Sequence, residues 1–205
     1  DIPAATLMGH EFCVRSKDYF NPSLTAKIKY AWDEKALYMA AEIHDETFIQ
    51  DYTGFNTWKG DCLQLGFDLD PGTVSGSTGN MFADIAAQKR RVSEIDLALT
   101  SNGPEAFRTA TFDNTKYPVD LINKSQLPLS ITRNGNTTVY EAEIPWNTLG
   151  LSTPPQNGDF IGTAITVNDM NDSKQLDPSA LGLFGGIAGS KNPDKYGTLL
   201  MGGVE

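Results

Sequence analysis

The clearest alternation of hydrophobic and polar positions covers residues 62–69. The odd positions in this range are all large and apolar, whereas the even positions are small or polar. A period of two is typical of a β-strand that packs one face on a core. The pattern therefore predicts a strand whose second face is free to carry Gln64 beside Trp58, which lies just before the strand.

Two hairpins are predicted over 26–45 and 127–144. Alternating runs flank the turn Asp33-Glu34-Lys35 in the first and Asn134-Gly135-Asn136 in the second, and Asn-Gly between such runs favours a hairpin. Pro145–Gly150 has Pro at its start and Gly at its end, which predicts one helical turn. Further strands are predicted over Ala5–Arg15, Met81–Gln88, Val92–Thr100, Ala106–Phe112, Phe160–Val167 and Tyr196–Met201.

This succession of short strands predicts the fold class. Many short strands with turn signals between them, and almost no helical period, are typical of an antiparallel β-sandwich. The chain has 205 residues, of which 40% are hydrophobic, so it is the size of one domain and can close a core. We predict an all-β fold, an antiparallel β-sandwich of jelly-roll or immunoglobulin-like type, with residues 1–205 as a single domain.

The charge of the chain limits its partners. Sixteen Lys and Arg face 26 Asp and Glu, which gives a formal net charge of −10. An acidic surface disfavours nucleic acid and anionic membranes, and no apolar run approaches the ~20 residues of a membrane-spanning helix. We therefore expect no nucleic acid and no membrane among the partners, and favour a cation or a neutral or cationic ligand. Because the chain begins at Asp1, we expect a processed form or a fragment of a longer polypeptide.

The two cysteines, Cys13 and Cys62, each lie in a predicted strand. A disulfide between them would close a long loop and indicate an oxidising compartment. Two buried free thiols are an equally good interpretation, because cysteine is common in cores. The sequence leaves both alternatives open, since it does not give the distance between the two Cα atoms.

Catalytic motifs are absent from the sequence. There is no G-x-S-x-G segment, and neither His lies in an H-E-x-x-H motif. Pairs of carboxylates could serve a glycosidase, but an acidic chain contains many such pairs by chance. We predict no catalytic residues and a surface that binds its ligand without reacting with it.

Five segments, in order between Ala26 and Met201, resemble the family 9 carbohydrate-binding modules. They are AKIKYAWDEKALYMAAEIHDE, WKGDCLQLGFDLD, YEAEIPWNTLGL, GDFIGTAITVNDMND and NPDKYGTLLM. The resemblance implies a jelly-roll-like sandwich, structural calcium, and a non-catalytic module that binds polysaccharides or oligosaccharides. It also implies attachment to a larger bacterial polysaccharide-active enzyme, and hence an extracellular or periplasmic location.

The resemblance extends to the sugar site, in which the family clamps a sugar between two Trp rings. Trp58 matches the first ring, and Gln64 stands where the family usually has a Glu. Asp61 and Lys59 are the other predicted sugar contacts, while Gly189-Ser190-Lys191 stands where the second ring is expected. Either sugar binding has been lost, or the second ring is replaced by another aromatic residue, for which the candidates are Phe184, Tyr52 and Phe55.

Aspartates in turns are the candidates for calcium, which takes six to eight oxygen ligands. They are Asp45, Asp51, Asp61, Asp68, Asp70, Asp169 and Asp172. Of these, we predict Asp68, Asp70, Asp169 and Asp172 as ligands, although aspartate also shapes turns without a metal.

Two alternative functions remain open. A related sandwich type binds b-type haem between a Met and a His for electron transfer, and the available residues are His10, His44, Met39, Met81 and Met170. The chain could also be a structural module that docks a protein partner, which an exposed apolar patch would support.

Overall fold

A computed structural model of the chain describes residues 4–16, 20–72 and 76–202. The strands within these ranges are β1 (Ala5–Met8), β2 (Cys13–Arg15), β3 (Thr25–Trp32), β4 (Ala36–His44), β5 (Cys62–Asp68), β6 (Val92–Thr100), β7 (Gly103–Thr111), β8 (Leu129–Asn134), β9 (Thr137–Pro145), β10 (Phe160–Asp169), β11 (Ser179–Leu183) and β12 (Gly197–Leu200). The helices are α1 (Met81–Ala86) and α2 (Trp146–Leu149), with 3-10 turns at His10–Phe12, Gly54–Lys59 and Pro193–Lys195.

The strands form two sheets. One has the order β1-β3-β4-β9-β8, and the other has the order β2-β11-β10-β5-β6-β7, with β12 paired to the first half of β10. All pairings between these strands are antiparallel. The predicted antiparallel β-sandwich is confirmed.

The core lies between the two sheets and takes the odd positions of β5. Leu63, Leu65 and Phe67 are fully buried there and belong to one continuous apolar cluster. Trp146, in α2, joins the same cluster and donates its indole N–H to the Asp33 carbonyl at 2.8 Å. The predicted helical turn ends at Gly150, whose φ of 105° lies in the left-handed region that favours glycine.

Both predicted hairpins are confirmed as β3–β4 and β8–β9, whereas two other segments differ from their predictions. Met81–Gln88, predicted as a strand, contains α1, because the Asn80 side chain accepts the Ala83 N–H at 3.1 Å and caps the first turn. Ala5–Arg15, predicted as one strand, is divided between the two sheets by a 3-10 turn that follows Gly9.

The two cysteines are buried free thiols, so the disulfide alternative is wrong. Cys13 lies in β2, and Cys62 lies in β5, where the Asn168 amide nitrogen is 3.3 Å from its sulfur. Among the described residues, no helix has the length and apolar character needed to cross a membrane.

Candidate functional site

The second face of β5 is covered rather than free, which corrects the sequence prediction: all seven residues of the strand are buried. The segment before β12 lies over it, and Gly66 permits this approach, since a Cβ there would be 2.5 Å from the Tyr196 hydroxyl oxygen. Further along β5, Arg90 pairs with Asp68. Near Gln64, by contrast, the covering layer leaves a cleft.

This cleft, called the Trp58 cleft below, has a volume of about 530 Å³. It lies on the outer face of the sheet that contains β5, and its walls come from several separate segments. The lining residues are Arg15, Phe55, Trp58, Gln64, Asn80, Phe82, Glu94, Thr109, Ile187, Ala188, Gly189, Ser190 and Lys191.

Three aromatic side chains line the Trp58 cleft. Trp58 is half-buried, while Phe55 and Phe82 are 55% and 54% exposed. Phe55 was one of the candidates for the second ring, whereas Phe82 was missed because its segment was predicted as a strand. The other candidates do not line the cleft: Tyr52 lies beside Lys59, and Phe184 packs against Gly197.

Trp58 is positioned by the 3-10 turn Gly54–Lys59 and by the loop that leads into it. The Gln50 amide donates to the carbonyls of Thr57 and Asp61, each at 2.9 Å, and so holds the second half of the turn and the residue that leads into β5. From β10, the Asn168 amide donates to the Trp58 carbonyl at 3.1 Å. The backbone of the aromatic residue is therefore fixed by buried side chains before any ligand binds.

A chain of hydrogen bonds crosses the floor of the cleft. Arg15 donates to Asn168 at 2.6 Å, Asn168 donates to Gln64 at 3.1 Å, and Gln64 donates to Asp96 at 3.1 Å. Thr57 donates to the other oxygen of Asp96 at 3.3 Å. Gln64 is 5% exposed, and its amide is oriented by a donor on one side and an acceptor on the other. Burial raises the pKa of Asp96 to about 7.

The lining of the cleft also includes an ion pair. Lys191 pairs with the carboxylate of Glu94, which is buried and also accepts the Tyr196 hydroxyl at 3.1 Å. Burial raises the pKa of Glu94, and the charge of Lys191 opposes this. Gly189–Lys191 thus occupies one wall with a cation and small residues, where the resemblance leads one to expect a Trp ring.

A second cluster, called the acidic cluster below, consists of Asp45, Asp61 and Asp169. Each of these buried residues offers a carboxylate oxygen, and the three oxygens lie within 4.8 Å of one another. Asp61 accepts the Met170 N–H at 2.9 Å as well as the Ile49 N–H. One oxygen of Asp169, Oδ1, is buried without a hydrogen-bond partner among the described residues.

The electrostatics of the acidic cluster are unfavourable for three charged carboxylates. Burial raises the pKa of Asp61 to about 8. Two backbone N–H donors oppose this rise, and the charges of Asp45 and Asp169 add to it. Burial and the neighbouring Asp45 raise the pKa of Asp169 to about 6. The pKa of Asp45 is also raised, chiefly by burial. The cluster must hold either protons or a cation.

The predicted calcium ligands are therefore only partly brought together. Asp169 belongs to the acidic cluster, but Asp68 pairs with Arg90 at 2.5 Å, and Asp70 binds Arg91 through two contacts of 2.7 Å. Asp172 is exposed and accepts the Lys174 N–H at 2.9 Å. Charge pairing and turn capping thus account for three of the four.

The predicted sugar contacts divide in the same way. Trp58 and Gln64 line one cleft, whereas Asp61 lies in the acidic cluster and not in the cleft lining. Lys59 has its ammonium 5.7 Å from the centroid of the Trp58 ring, but it too is outside the lining. Asp45 and Asp61 were among the turn aspartates of the sequence, and only the fold shows that they converge with Asp169.

The haem alternative lacks a suitable pair on β4. Met39 points into the core, whereas His44 is exposed on the other face of the strand. Residues on opposite faces of one strand cannot ligate a single iron. His10 is also exposed and packs edge-on against Phe20.

Comparisons with known proteins agree with the fold. The sequence matches the family described as "Carbohydrate family 9 binding domain-like" over residues 14–203. A family 9 carbohydrate-binding module from Caldicellulosiruptor kristjanssonii, solved in complex with glucose, is similar with a TM-score of 0.64 and 16% identity, over 100% of this chain and 86% of that chain. A structure with cellotriose from the same organism has a TM-score of 0.64 and 16% identity, over 100% and 84% of the two chains. No curated protein matches the chain.

Proposed function

The chain belongs to the carbohydrate family 9 binding domain-like family, and we propose that it is a non-catalytic module that binds a glycan in the Trp58 cleft. The observation that carries this proposal is the combination of aromatic faces and an oriented buried amide in one cleft. The similar modules from Caldicellulosiruptor kristjanssonii were solved with glucose and cellotriose, which supports a glycan as the ligand class.

The cleft has the chemistry that a pyranose requires. The C–H face of a sugar ring is apolar and stacks on an aromatic ring, while its equatorial hydroxyls need planar hydrogen-bonding groups. Trp58 supplies the platform, and Phe55 and Phe82 can enclose the ring from other sides. Gln64 retains one amide hydrogen and one lone pair after its contacts with Asn168 and Asp96, so it can bind a hydroxyl in a fixed orientation.

The module binds the glycan reversibly and does not react with it. Its role is therefore to hold an attached protein at its substrate. We propose that it belongs to a larger, exported bacterial protein that acts on polysaccharides, and that it works outside the cytoplasm. The family membership supports this context. The described residues contribute only the binding surface.

We also propose that calcium binds the acidic cluster. Carboxylate oxygens are hard ligands of the type that calcium prefers, and the unpartnered Oδ1 of buried Asp169 provides a ligand atom with no other role among the described residues. Calcium would offset two of the three negative charges of carboxylates that otherwise repel one another. Its role would be structural, since Asp61 and Asp169 terminate the segments that carry Trp58 and Asn168.

The binding proposal is tested with Trp58→Ala on an array of plant and bacterial glycans. We expect saturable binding of at least one glycan by the native chain and a loss of at least about tenfold in affinity, or about 1.4 kcal/mol, in the variant. Phe160→Ala is the matched control, because Phe160 is a 49% exposed aromatic outside the Trp58 cleft. The proposal fails if no glycan binds, or if both variants lose binding equally.

Thermal unfolding separates binding from stability. Because Trp58 is half-buried at the rim of the cleft, we expect Trp58→Ala to unfold within a few degrees of the native chain. A large loss of stability would make Trp58 a packing residue and remove the observation on which the proposal depends.

A further inference from the structure

We propose that the Trp58 cleft selects a sugar that carries a carboxylate, a uronic acid, and that Arg15 is the residue that recognises it. This inference rests on the proposed glycan-binding function and specifies its ligand. It starts from the charges that face the cleft, which are those of Arg15, Glu94 and Lys191.

Two of these charges cancel. Glu94 is buried and pairs with Lys191, whose side chain is 35% exposed, while the Tyr196 hydroxyl binds the other carboxylate oxygen. An ion pair of this kind offers no net charge to a ligand. Disturbing it would also leave a buried carboxylate without its cation, which is costly.

Arg15 is different, because among the described residues it forms no ion pair. Its Nε donates to the Pro178 carbonyl at 3.0 Å and its Nη2 donates to the amide oxygen of Asn168 at 2.6 Å. Both acceptors are neutral, and Nη1 has no hydrogen-bond partner in the described part of the chain. Asp96 and Asp177 act on the guanidinium only through space. The cleft therefore contains one fixed guanidinium that has a donor available and, among the described residues, no ion-pair partner.

The position of this donor suits a sugar stacked on Trp58. The guanidinium carbon lies over the Trp58 ring in a cation–π contact, 5.6 Å from the ring centroid, and both residues line the same cleft. The carboxylate of a hexuronate projects from the edge of the pyranose, so a sugar on the part of the ring that Arg15 leaves uncovered would bring this edge towards the guanidinium. A charge-assisted hydrogen bond of this type is roughly twice as strong as a neutral one.

The net charge of −10 favours a neutral or cationic ligand at long range. Charges on distant parts of the surface are screened beyond about 8 Å at physiological ionic strength. The contact with Arg15 acts at hydrogen-bonding distance, so it determines the preference once the sugar is in the cleft.

The test compares sugars that differ only at C6. Methyl glycosides of glucuronate and galacturonate are titrated against those of glucose and galactose, with the methyl ester of each uronate as a neutral ligand of similar size. We expect the free uronate of at least one pair to bind at least tenfold more tightly than both its neutral partner and its ester. NMR titration of the Trp58 indole N–H gives the affinity and reports the site.

Two variants assign the preference to Arg15. Arg15→Gln should reduce the ratio of uronate to neutral affinity to less than about threefold, while Arg15→Lys should keep part of it. Lys116→Gln is the matched control, because the exposed Lys116 ammonium lies 5.1 Å from the centroid of a different ring, that of Tyr117, outside the cleft lining, and it should keep the full ratio. Thermal unfolding of each variant establishes that it is folded.

The outcomes separate this inference from the binding proposal. Equal or tighter binding of the neutral sugars, with dependence on Trp58, overturns the preference for uronates and leaves glycan binding intact. An unchanged ratio in Arg15→Gln overturns the role of Arg15. The absence of any Trp58-dependent glycan on the array overturns both proposals.

Discussion

Removal of calcium should lower the unfolding temperature, because the acidic cluster would lose the cation that offsets its charge. Three carboxylate oxygens lie within 4.8 Å of one another. With an effective dielectric constant of about 20, each charged pair at this separation costs about 3.5 kcal/mol, or roughly 10 kcal/mol for three pairs. A domain is stable by only about 5–15 kcal/mol, so without a cation the cluster must retain protons.

The expected shift follows from mass action. Calcium at 100 times its dissociation constant stabilises the native state by about 2.7 kcal/mol. For a domain of this size each kcal/mol corresponds to about 2–4 °C, so the unfolding temperature should rise by about 5–11 °C. Differential scanning fluorimetry in excess calcium and in excess chelator measures this difference.

The pH dependence of the shift has a definite sign. The pKa values of Asp61 and Asp169 are raised to about 8 and about 6. In chelator the folded state therefore holds protons more tightly than the unfolded state, and stability falls as pH rises from about 4 to about 8. Calcium requires ionised carboxylates, so its stabilisation should be larger at pH 8 than at pH 5.

Asp169→Asn assigns the shift to the cluster. The amide keeps an acceptor for Asn171 and Ser179 and removes one negative charge beside Asp45 and Asp61. In chelator at pH 8 this variant should unfold several degrees above the native chain, and its response to calcium should be lost. Asp172→Asn is the control, since Asp172 is exposed outside the cluster. A full calcium shift in Asp169→Asn would refute the reasoning.

Three further predictions concern stability. Leu65→Ala should cost about 2–5 kcal/mol in urea unfolding with an unchanged m-value, because Leu65 is fully buried between the sheets; a cost below about 1 kcal/mol would contradict its place in the core. Because burial raises the pKa of Asp96 to about 7, its proton stabilises the fold at low pH, and stability should fall between about pH 4 and 7. Asp96→Asn should flatten this part of a thermal unfolding profile recorded in calcium, and an unchanged profile would exclude Asp96 as its cause. Gly150→Ala should lower the unfolding temperature measured by circular dichroism, because the new Cβ would lie 2.6 Å from the Phe112 ring at a φ of 105°; an unchanged temperature would show that the ring can move aside.

The sandwich could be predicted from the sequence because its signals are local: hydrophobic residues that alternate with a period of two, and Asn-Gly turns between such runs. The hairpins β3–β4 and β8–β9 follow from these signals. The segment Met81–Gln88 was misjudged because its short helix depends on a single cap from Asn80 and offers too few residues for a helical period. The division of Ala5–Arg15 between two sheets depends on long-range pairing, which no local pattern contains.

The site was less predictable, since its residues are far apart in sequence. Trp58 and Gln64 could be found because they lie six positions apart, Trp58 just before β5 and Gln64 within it. Arg15 enters the cleft only through the pairing of β2 with β11, and Phe82 enters through α1. The alternation in β5 also led to the wrong prediction for its second face, because a buried polar layer and a solvated one have the same pattern.

The acidic cluster and the Trp58 cleft are physically connected, although no residue of the cluster lines the cleft. The turn that carries Trp58 ends beside Asp61, and the Gln50 amide binds the Asp61 carbonyl and so ties this end to the rest of the loop. Asp169 follows Asn168 in β10, and successive strand residues point to opposite faces. Asn168 holds both the Trp58 carbonyl and Gln64. A cation that fixes Asp61 and Asp169 would therefore also restrain the two segments that position the aromatic platform and the amide, so the same ion would serve stability and the preorganisation of the binding site.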